Sequence, residues 1–99
     1  MIGGIYIKLV YPAVFYPCEC GDGYVVEFPD LPGCITQGES LEEALKMAAD
    51  AASGWILISI ENGEDIPKPS SDLQLRDFKE AVFIHQVFLD IDGYVNYPT

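Results

Sequence analysis

The chain has 99 residues, of which 49% are hydrophobic and 12% aromatic, and this composition fits one small domain with a single core. Its net charge is −11, from 16 Asp and Glu against 5 Lys and Arg. Affinity for nucleic acid comes largely from clustered cations, so this balance argues against a nucleic-acid-binding surface. Two interpretations remain open: attraction to a basic protein, or acidity that only keeps the domain in solution.

The cysteines and the first residues indicate the compartment. The chain starts without the basic segment and apolar core of a secretory leader, and no apolar run approaches the ~20 residues of a membrane span. Cys18, Cys20 and Cys34 form an odd set. We therefore expect a cytoplasmic protein in a reducing environment, without a disulfide framework and without membrane association.

The first third of the chain predicts three strands. Ile5–Tyr16 is rich in β-branched and aromatic residues, and Pro12 within it indicates an edge, a bulge or a break. The turn sequence CECGDG follows and predicts a hairpin. In Tyr24–Phe28 the side chains alternate between two faces, after which PDLPG forces a corner and Cys34–Gly38 forms a short third strand.

A helix is predicted next. Ser40 followed by Glu43 is a capping box, and Asn62-Gly63 provides the stop. The helical spacing predicts one apolar face, made of Leu41, Ala44, Leu45, Ala48, Ala49, Ala52, Trp55, Ile56 and Ile60. After an irregular linker, Ala81–Ile91 reads as the last strand, and DIDGY as a turn.

These elements predict an α+β fold, β-β-β-α-β, in one domain that covers residues 1–99. A crossover through a helix favours a last strand parallel to the first and beside it, which gives a mixed sheet with one face covered by the helix. The first and last strands are nevertheless apolar on both sides. We expect the surplus apolar face to bury against another chain; the alternative is that the linker and tail fold over it.

Residues with catalytic chemistry are sparse. His85 is a lone histidine between apolar neighbours, and such residues are more often structural than catalytic. Cys18 and Cys20 lack the spacing of a zinc knuckle, no phosphate-binding glycine loop occurs, and Ser40 is explained by capping. A two-metal nuclease needs carboxylates converging from several elements, but Ile5–Tyr16 contains none. We expect no enzymatic activity, no metal and no cofactor.

Three segments resemble a known family. YPAVFYP, then GYVVEFPDLPGCITQGESLEEALKMAADA, then ENGEDIPKPS are very similar to the HicB antitoxins, and the likeness runs from Tyr11 to about Ser70. The resemblance implies a partial, catalytically degenerate ribonuclease H fold that binds and neutralises a HicA-type toxin, a small basic protein that cleaves messenger RNA. It also implies a homo-oligomer, a dimer or tetramer. One departure is that the chain ends at Thr99, so we expect no C-terminal DNA-binding module and no DNA binding.

Two other functions remain as alternatives. The first is an oligomeric scaffold or protein-binding module without a toxin partner, and the second is a residual nuclease of the same fold. For contact with the toxin we predict five residues on the second strand and the corner after it: Tyr24, Glu27, Phe28, Asp30 and Leu31. The alternative for this stretch is that Phe28 and Leu31 belong to the core and that the corner residues only shape the turn.

Overall fold

The computed structural model describes residues 8–19 and 21–90. Five main elements follow one another in them: β1 (Lys8–Pro17), β2 (Tyr24–Glu27), β3 (Ile35–Gly38), α1 (Leu41–Glu61) and β4 (Phe83–Asp90). A single 3-10 turn, Leu75–Asp77, interrupts the connection between α1 and β4. The predicted α+β order β-β-β-α-β is therefore confirmed. The predicted positions Ile5, Ile7 and Ile91 and the DIDGY turn beyond Asp90 lie outside the described residues.

The four strands form one sheet in the order β3-β2-β1-β4, and every neighbouring pair is antiparallel. β4 lies beside β1 as predicted, but the predicted parallel pairing, and with it the mixed sheet, is wrong. The reason is the connection after the helix, which crosses the sheet a second time. It passes Tyr11, whose hydroxyl donates to Pro67 O at 2.5 Å, and reaches Phe15, whose carbonyl accepts from Val82 N at 2.8 Å. β4 then starts opposite Phe15 and runs back along β1.

Pro12 lies within β1 and is fully buried. β2 pairs only with Val14–Pro17, so the half of β1 that contains Pro12 has a partner on one side only, β4. A strand with one free side can accommodate a residue that has no N–H to donate. Of the three possibilities that the sequence left open at Pro12, an edge, a bulge or a break, the pairing of the described strands favours a local edge within the interior strand β1.

Two glycines allow the strands and the helix to approach closely. In the hairpin after β1, Cys18 N donates to Gly23 O at 2.9 Å. A Cβ on Gly23 would lie 2.3 Å from Gly38 O, and a Cβ on Gly38 would lie 2.4 Å from Ala44 N. Both distances are shorter than any real contact, so a side chain at either position would push β2, β3 and the first turn of α1 apart.

The ends of α1 are capped largely as the sequence predicts. Ser40 Oγ accepts from Glu43 N at 3.1 Å, and Glu43 Oε1 accepts in return from Glu39 N at 2.6 Å, one residue before the usual partner. At the other end Asn62 is the C-cap, and Gly63 follows with φ +72°, the left-handed conformation that ends a helix.

The core lies between α1 and the face of the sheet that it covers, here called the inner face. The helix contributes a row of small and aliphatic side chains, Ala44, Ala48, Ala52 and Ile56, and the sheet contributes Tyr11, Ala13, Phe15, Val26, Val87 and Leu89. Leu41, predicted for the buried side of the helix, is instead 43% exposed, because it lies in the first turn beyond the sheet's cover. Phe15 stacks on Phe83 with 4.6 Å between ring centroids, which joins β1 to β4 in the core.

Candidate interaction surfaces

The predicted partner-contact residues separate into groups. Phe28 and Leu31 are 1% and 0% exposed and belong to the core. Backbone bonds close the corner around them, from Leu31 N to Phe28 O at 3.0 Å and from Phe28 N to Cys34 O at 3.1 Å. Neither side chain offers a surface to a partner, which agrees with the alternative assignment of this pair to the core. Phe28 continues the alternation of Tyr24 and Val26 and so shares their face, but Leu31 lies beyond the end of the strand, where alternation assigns no face.

Asp30 is half-buried and ties the corner to the linker. Its carboxylate accepts from Ser70 N at 2.7 Å and from Ser70 Oγ at 2.6 Å. Burial, and to a lesser degree the charge of Asp30, raise the pKa of the nearby Tyr11 hydroxyl. That hydroxyl bonds to Pro67, so Asp30 and Tyr11 together hold the linker against the sheet. This gives Asp30 a structural role.

Tyr24 and Glu27 lie on opposite faces of β2. Tyr24 packs edge-on against Phe15 and Phe83 of the inner face, with centroid distances of 6.1 and 5.8 Å. Glu27 Oε1 accepts from the Tyr16 hydroxyl at 3.2 Å on the other face. Burial, followed by the charge and hydrogen bond of Glu27, raises the pKa of Tyr16. The five predicted residues therefore do not form one patch, and contact of Tyr24, Glu27 or Asp30 with a partner stays a prediction.

The face of the sheet opposite the helix, the outer face, carries the second apolar row that the sequence predicts. The register places Val10, Pro12, Val14, Tyr16, Val25, Glu27, Ile84, Gln86 and Phe88 on it. Its centre on β1 is closed, since Pro12 and Val14 are fully buried, whereas Phe88 on β4 is 79% exposed. The open apolar surface is therefore narrower than predicted. Among the described residues it lies at Phe88 on β4 and at Ile35, the register partner of Glu27, on β3.

A groove, here called the edge groove, lies between α1 and the chain that leads into β3, of which only the first residue, Ile35, takes part in the lining. It has a volume of ≈ 360 Å³ and is lined by Gly33, Cys34, Ile35, Asp50, Ala51, Gly54, Trp55 and Ile58. Trp55 Nε1 donates to Pro32 O at 2.9 Å, which fixes the indole against the corner. Ile35 and Ile58 on its two walls are 58% and 59% exposed. The predicted partner-contact residues include none of this lining; Gly54 in mid-helix and Ile58 outside the predicted apolar row are the signals that the sequence offered.

The structure shows little that favours catalysis. In residues 8–19 and 21–90 no three His, Cys, Asp or Glu side chains come together in a way that could hold a metal ion. His85 is exposed on β4, with its ring edge-on to Phe15 at 6.4 Å. Burial raises the pKa of the Cys34 thiol to about 11, so this cysteine is protonated at neutral pH and a poor nucleophile.

The cysteines differ in state, and one of them departs from the prediction. Cys18 is disulfide-bonded, whereas the sequence led us to expect no disulfide framework; Cys34 is a free, buried thiol. Among the described elements, no helix has the length and apolar character needed to cross a membrane.

Comparison with known proteins decides the family. Residues 11–95 match the profile of the HicB-like antitoxin of bacterial toxin-antitoxin systems. This chain belongs to the HicB-like antitoxin family. Antitoxin HicB 1 of Photorhabdus laumondii subsp. laumondii is 48% identical over 59 residues, which are 60% of this chain and 37% of that protein. Antitoxin HicB of Escherichia coli strain K12 is 42% identical over 60 residues, which are 61% of this chain and 43% of that protein. The chain thus spans less than half the length of these HicB relatives.

Solved structures of toxin-antitoxin proteins share the fold. A chain of the toxin-antitoxin complex from Streptococcus pneumoniae superimposes with a TM-score of 0.75 at 29% identity, covering 93% of this chain and 76% of that one. The N-terminal domain of Burkholderia pseudomallei antitoxin HicB gives a TM-score of 0.66 at 28% identity, covering 80% of this chain and 95% of that one. The resemblance to the HicB family is therefore confirmed, and the chain has the fold of a HicB antitoxin domain.

Proposed function

We propose that this chain is the antitoxin of a toxin–antitoxin pair: it binds a small basic HicA-type toxin and blocks its cleavage of messenger RNA, with no enzymatic activity of its own. The match of residues 11–95 to the HicB-like antitoxin family carries the proposal. The site of action would be the cytoplasm, where messenger RNA is translated. Likeness to a chain within the Streptococcus pneumoniae toxin-antitoxin complex supports a protein partner.

The charge of the chain suits such a partner. A net charge of −11 repels RNA and attracts a cationic, RNA-binding protein over several ångströms before contact. Complementary charge of this kind raises association rates and selects against wrong partners more than it adds affinity. The mechanism we propose is steric: the antitoxin covers the toxin's RNA-binding face, so that substrate and antitoxin compete for the same surface.

Titration of RNA cleavage tests this function and separates it from its alternatives. Adding the purified chain to a HicA-type ribonuclease should abolish cleavage of messenger RNA at a stoichiometric ratio. Raising the salt concentration should slow association, since screening weakens long-range attraction. Cleavage that continues, with no complex at micromolar concentrations, would overturn the proposal and favour a scaffold role. Magnesium-dependent cleavage of RNA by this chain alone would favour the residual nuclease.

We also propose that the chain forms homo-oligomers through the free edge of β4. This edge has no proline and no charged residue from Phe83 to Leu89, and its neighbour Phe88 is 79% exposed. Two copies that each carry −11 repel one another, so they associate most easily where acidic side chains are absent. Sedimentation equilibrium of the purified chain tests this, and a monomer at all micromolar concentrations would overturn it.

A further inference from the structure

The strand side of the edge groove is an unprotected sheet edge. β3 pairs with β2 on one side and lies at the end of the sheet, and no strand within residues 8–19 and 21–90 pairs with its other side. Natural proteins shield such edges with lysine, proline or a bulge, because a free edge readily accepts another strand. Ile35–Gly38, with the sequence ITQG, contains none of these, and Ile35 is 58% exposed.

The helix side of the groove contains a glycine that no contact among the described residues requires. A glycine in a helix interior is less stable than alanine, so it is retained where something must approach closely. A Cβ on Gly54 would meet no atom within 4 Å, in contrast to Gly23 and Gly38, where it would lie 2.3 and 2.4 Å from neighbouring backbone. The contacts of the chain explain Gly23 and Gly38. Contacts in the described part of the chain do not explain Gly54, which lines the groove beside Ile58.

The charge of the groove indicates what it would accept. Asp50 is the charged residue of the lining, and the remaining lining residues are apolar or glycine. A second copy of the chain would bring another Asp50 and a net charge of −11 to this site, which disfavours self-association there. An occupant with an apolar side chain and a neighbouring Lys or Arg would pack against the apolar walls of the groove and pair its positive charge with Asp50.

We propose that the edge groove is the docking site for an extended, basic segment of the toxin, which adds a strand to β3. The inference rests on the toxin-neutralising function proposed above. Ile35 shares the outer face with Glu27, its register partner, whereas Thr36 shares the inner face with Val26. An added strand would alternate in the same way: one row of its side chains lies over Gly54 and Ile58, and the other lies beside Ile35.

Substitution of Gly54 tests the proposal, because folding and binding should respond in opposite directions. Gly54→Ala should raise the melting temperature by about 2–6 °C, since alanine favours the helix. The same substitution should weaken binding to a purified HicA-type toxin by about tenfold, and Gly54→Leu should weaken it further, because the added atoms occupy the space of the docked strand. In the wild-type complex, amide hydrogen exchange of Ile35–Gly38 should slow down.

The control is Phe88→Ser on the far side of the sheet, which should leave toxin affinity within about twofold of the wild type. Unchanged affinity in both Gly54 variants, with wild-type binding intact, would overturn the docking site while the antitoxin function stands. Gly54→Leu that dissociates an oligomer of the free chain would assign the groove to a second copy and overturn the proposal as well. Absence of wild-type binding would overturn the proposed function and this docking mode together.

Discussion

Neither edge of the sheet pairs with another strand in the part of the chain that the structure describes, yet the two edges differ in length, chemistry and surroundings. β3 offers four residues beside a helix, next to a groove whose lining includes Asp50. β4 offers eight residues, uncharged as far as Leu89, next to the 79% exposed Phe88. A free edge alone does not determine its partner, because any strand can supply the backbone bonds. The flanking charges decide: the acidic edge suits a basic protein, and the neutral edge suits another copy of an acidic chain.

The largest expected effect on stability distinguishes the buried side chains of β4 from the exposed ones. Leu89 is 2% exposed in the core, whereas its neighbour Phe88 points away from the helix. Leu89→Ala should lower the free energy of unfolding by about 2–4 kcal/mol, through lost burial and the cavity left behind. Phe88→Ala is the matched control and should change it by less than about 0.5 kcal/mol in the monomer. Urea denaturation followed by circular dichroism measures both, and equal losses would show that β4 has no open side.

Cys34, next to β3, should make the free energy of unfolding depend on alkaline pH, and the β4 edge has no such residue. The Cys34 thiol has its pKa raised by burial from 9.0 to about 11, so the folded state prefers the neutral form. Stability is fully present below pH 9 and falls as the pH rises from 9 towards 11, by at most about 2–3 kcal/mol. In the Cys34→Ala variant the free energy of unfolding should depend less on pH between 9 and 11. The decrease that comes from tyrosine ionisation should remain. Denaturation at half-unit pH intervals checks the sign; a wild-type curve no steeper than that of the variant contradicts it.

The stability of the corner between β2 and β3 should depend on its hydrogen bonds to the linker. Ser70→Ala removes the hydroxyl that donates to Asp30 at 2.6 Å and leaves the backbone bond from Ser70 N in place. We expect a loss of about 1.5–3 kcal/mol in unfolding free energy, the range for a hydrogen bond to a charged group. Ser71→Ala, an exposed neighbour, is the control and should cost less than about 0.5 kcal/mol. If both substitutions lowered the free energy of unfolding by a similar amount, the hydrogen bond from the Ser70 hydroxyl to Asp30 would not be what holds the linker.

Substitution of Phe88 should have the smallest effect on the free energy of unfolding and a clear effect on self-association. Phe88→Ser should leave the unfolding free energy of the monomer within about 0.5 kcal/mol, since the side chain is exposed. It should nevertheless shift the self-association equilibrium towards monomer, because the substitution removes the apolar anchor beside the β4 edge. Sedimentation equilibrium of wild type and variant at matched concentrations measures the shift. Identical association of the two proteins would place the oligomer contact elsewhere.

Much of the fold was predictable because its signals are local. The capping box at Ser40, the stop at Asn62-Gly63 and the alternation in β2 each depend on residues a few positions apart. The direction of β4 was not predictable in this way. It depends on whether the linker crosses the sheet, and bonds such as that between Asp30 and Ser70, 40 residues apart, decide this. The turn residues of the linker fit either path.

The candidate surfaces were less predictable than the fold. Sequence alternation assigns residues to two faces, but it does not tell which face or edge the rest of the chain leaves open. Val14 and Phe88 both belong to the outer face, yet one is fully buried and the other 79% exposed. Gly54 illustrates the same limit, because a glycine required inside the fold and one left open to an outside molecule look alike in a sequence. Only the surrounding space distinguishes them.

The pairing of β1 with β4 also has a consequence for the order of events during synthesis. β1 is made first and β4 last among the described strands, and their ladder joins Lys8 to Asp90. Closing so long a loop is slow compared with forming α1 or the β1–β2 hairpin. A nascent chain therefore exposes one flank of β1 until translation has passed Asp90. Protease sensitivity of arrested ribosome-bound chains should drop only at lengths that let this residue leave the exit tunnel.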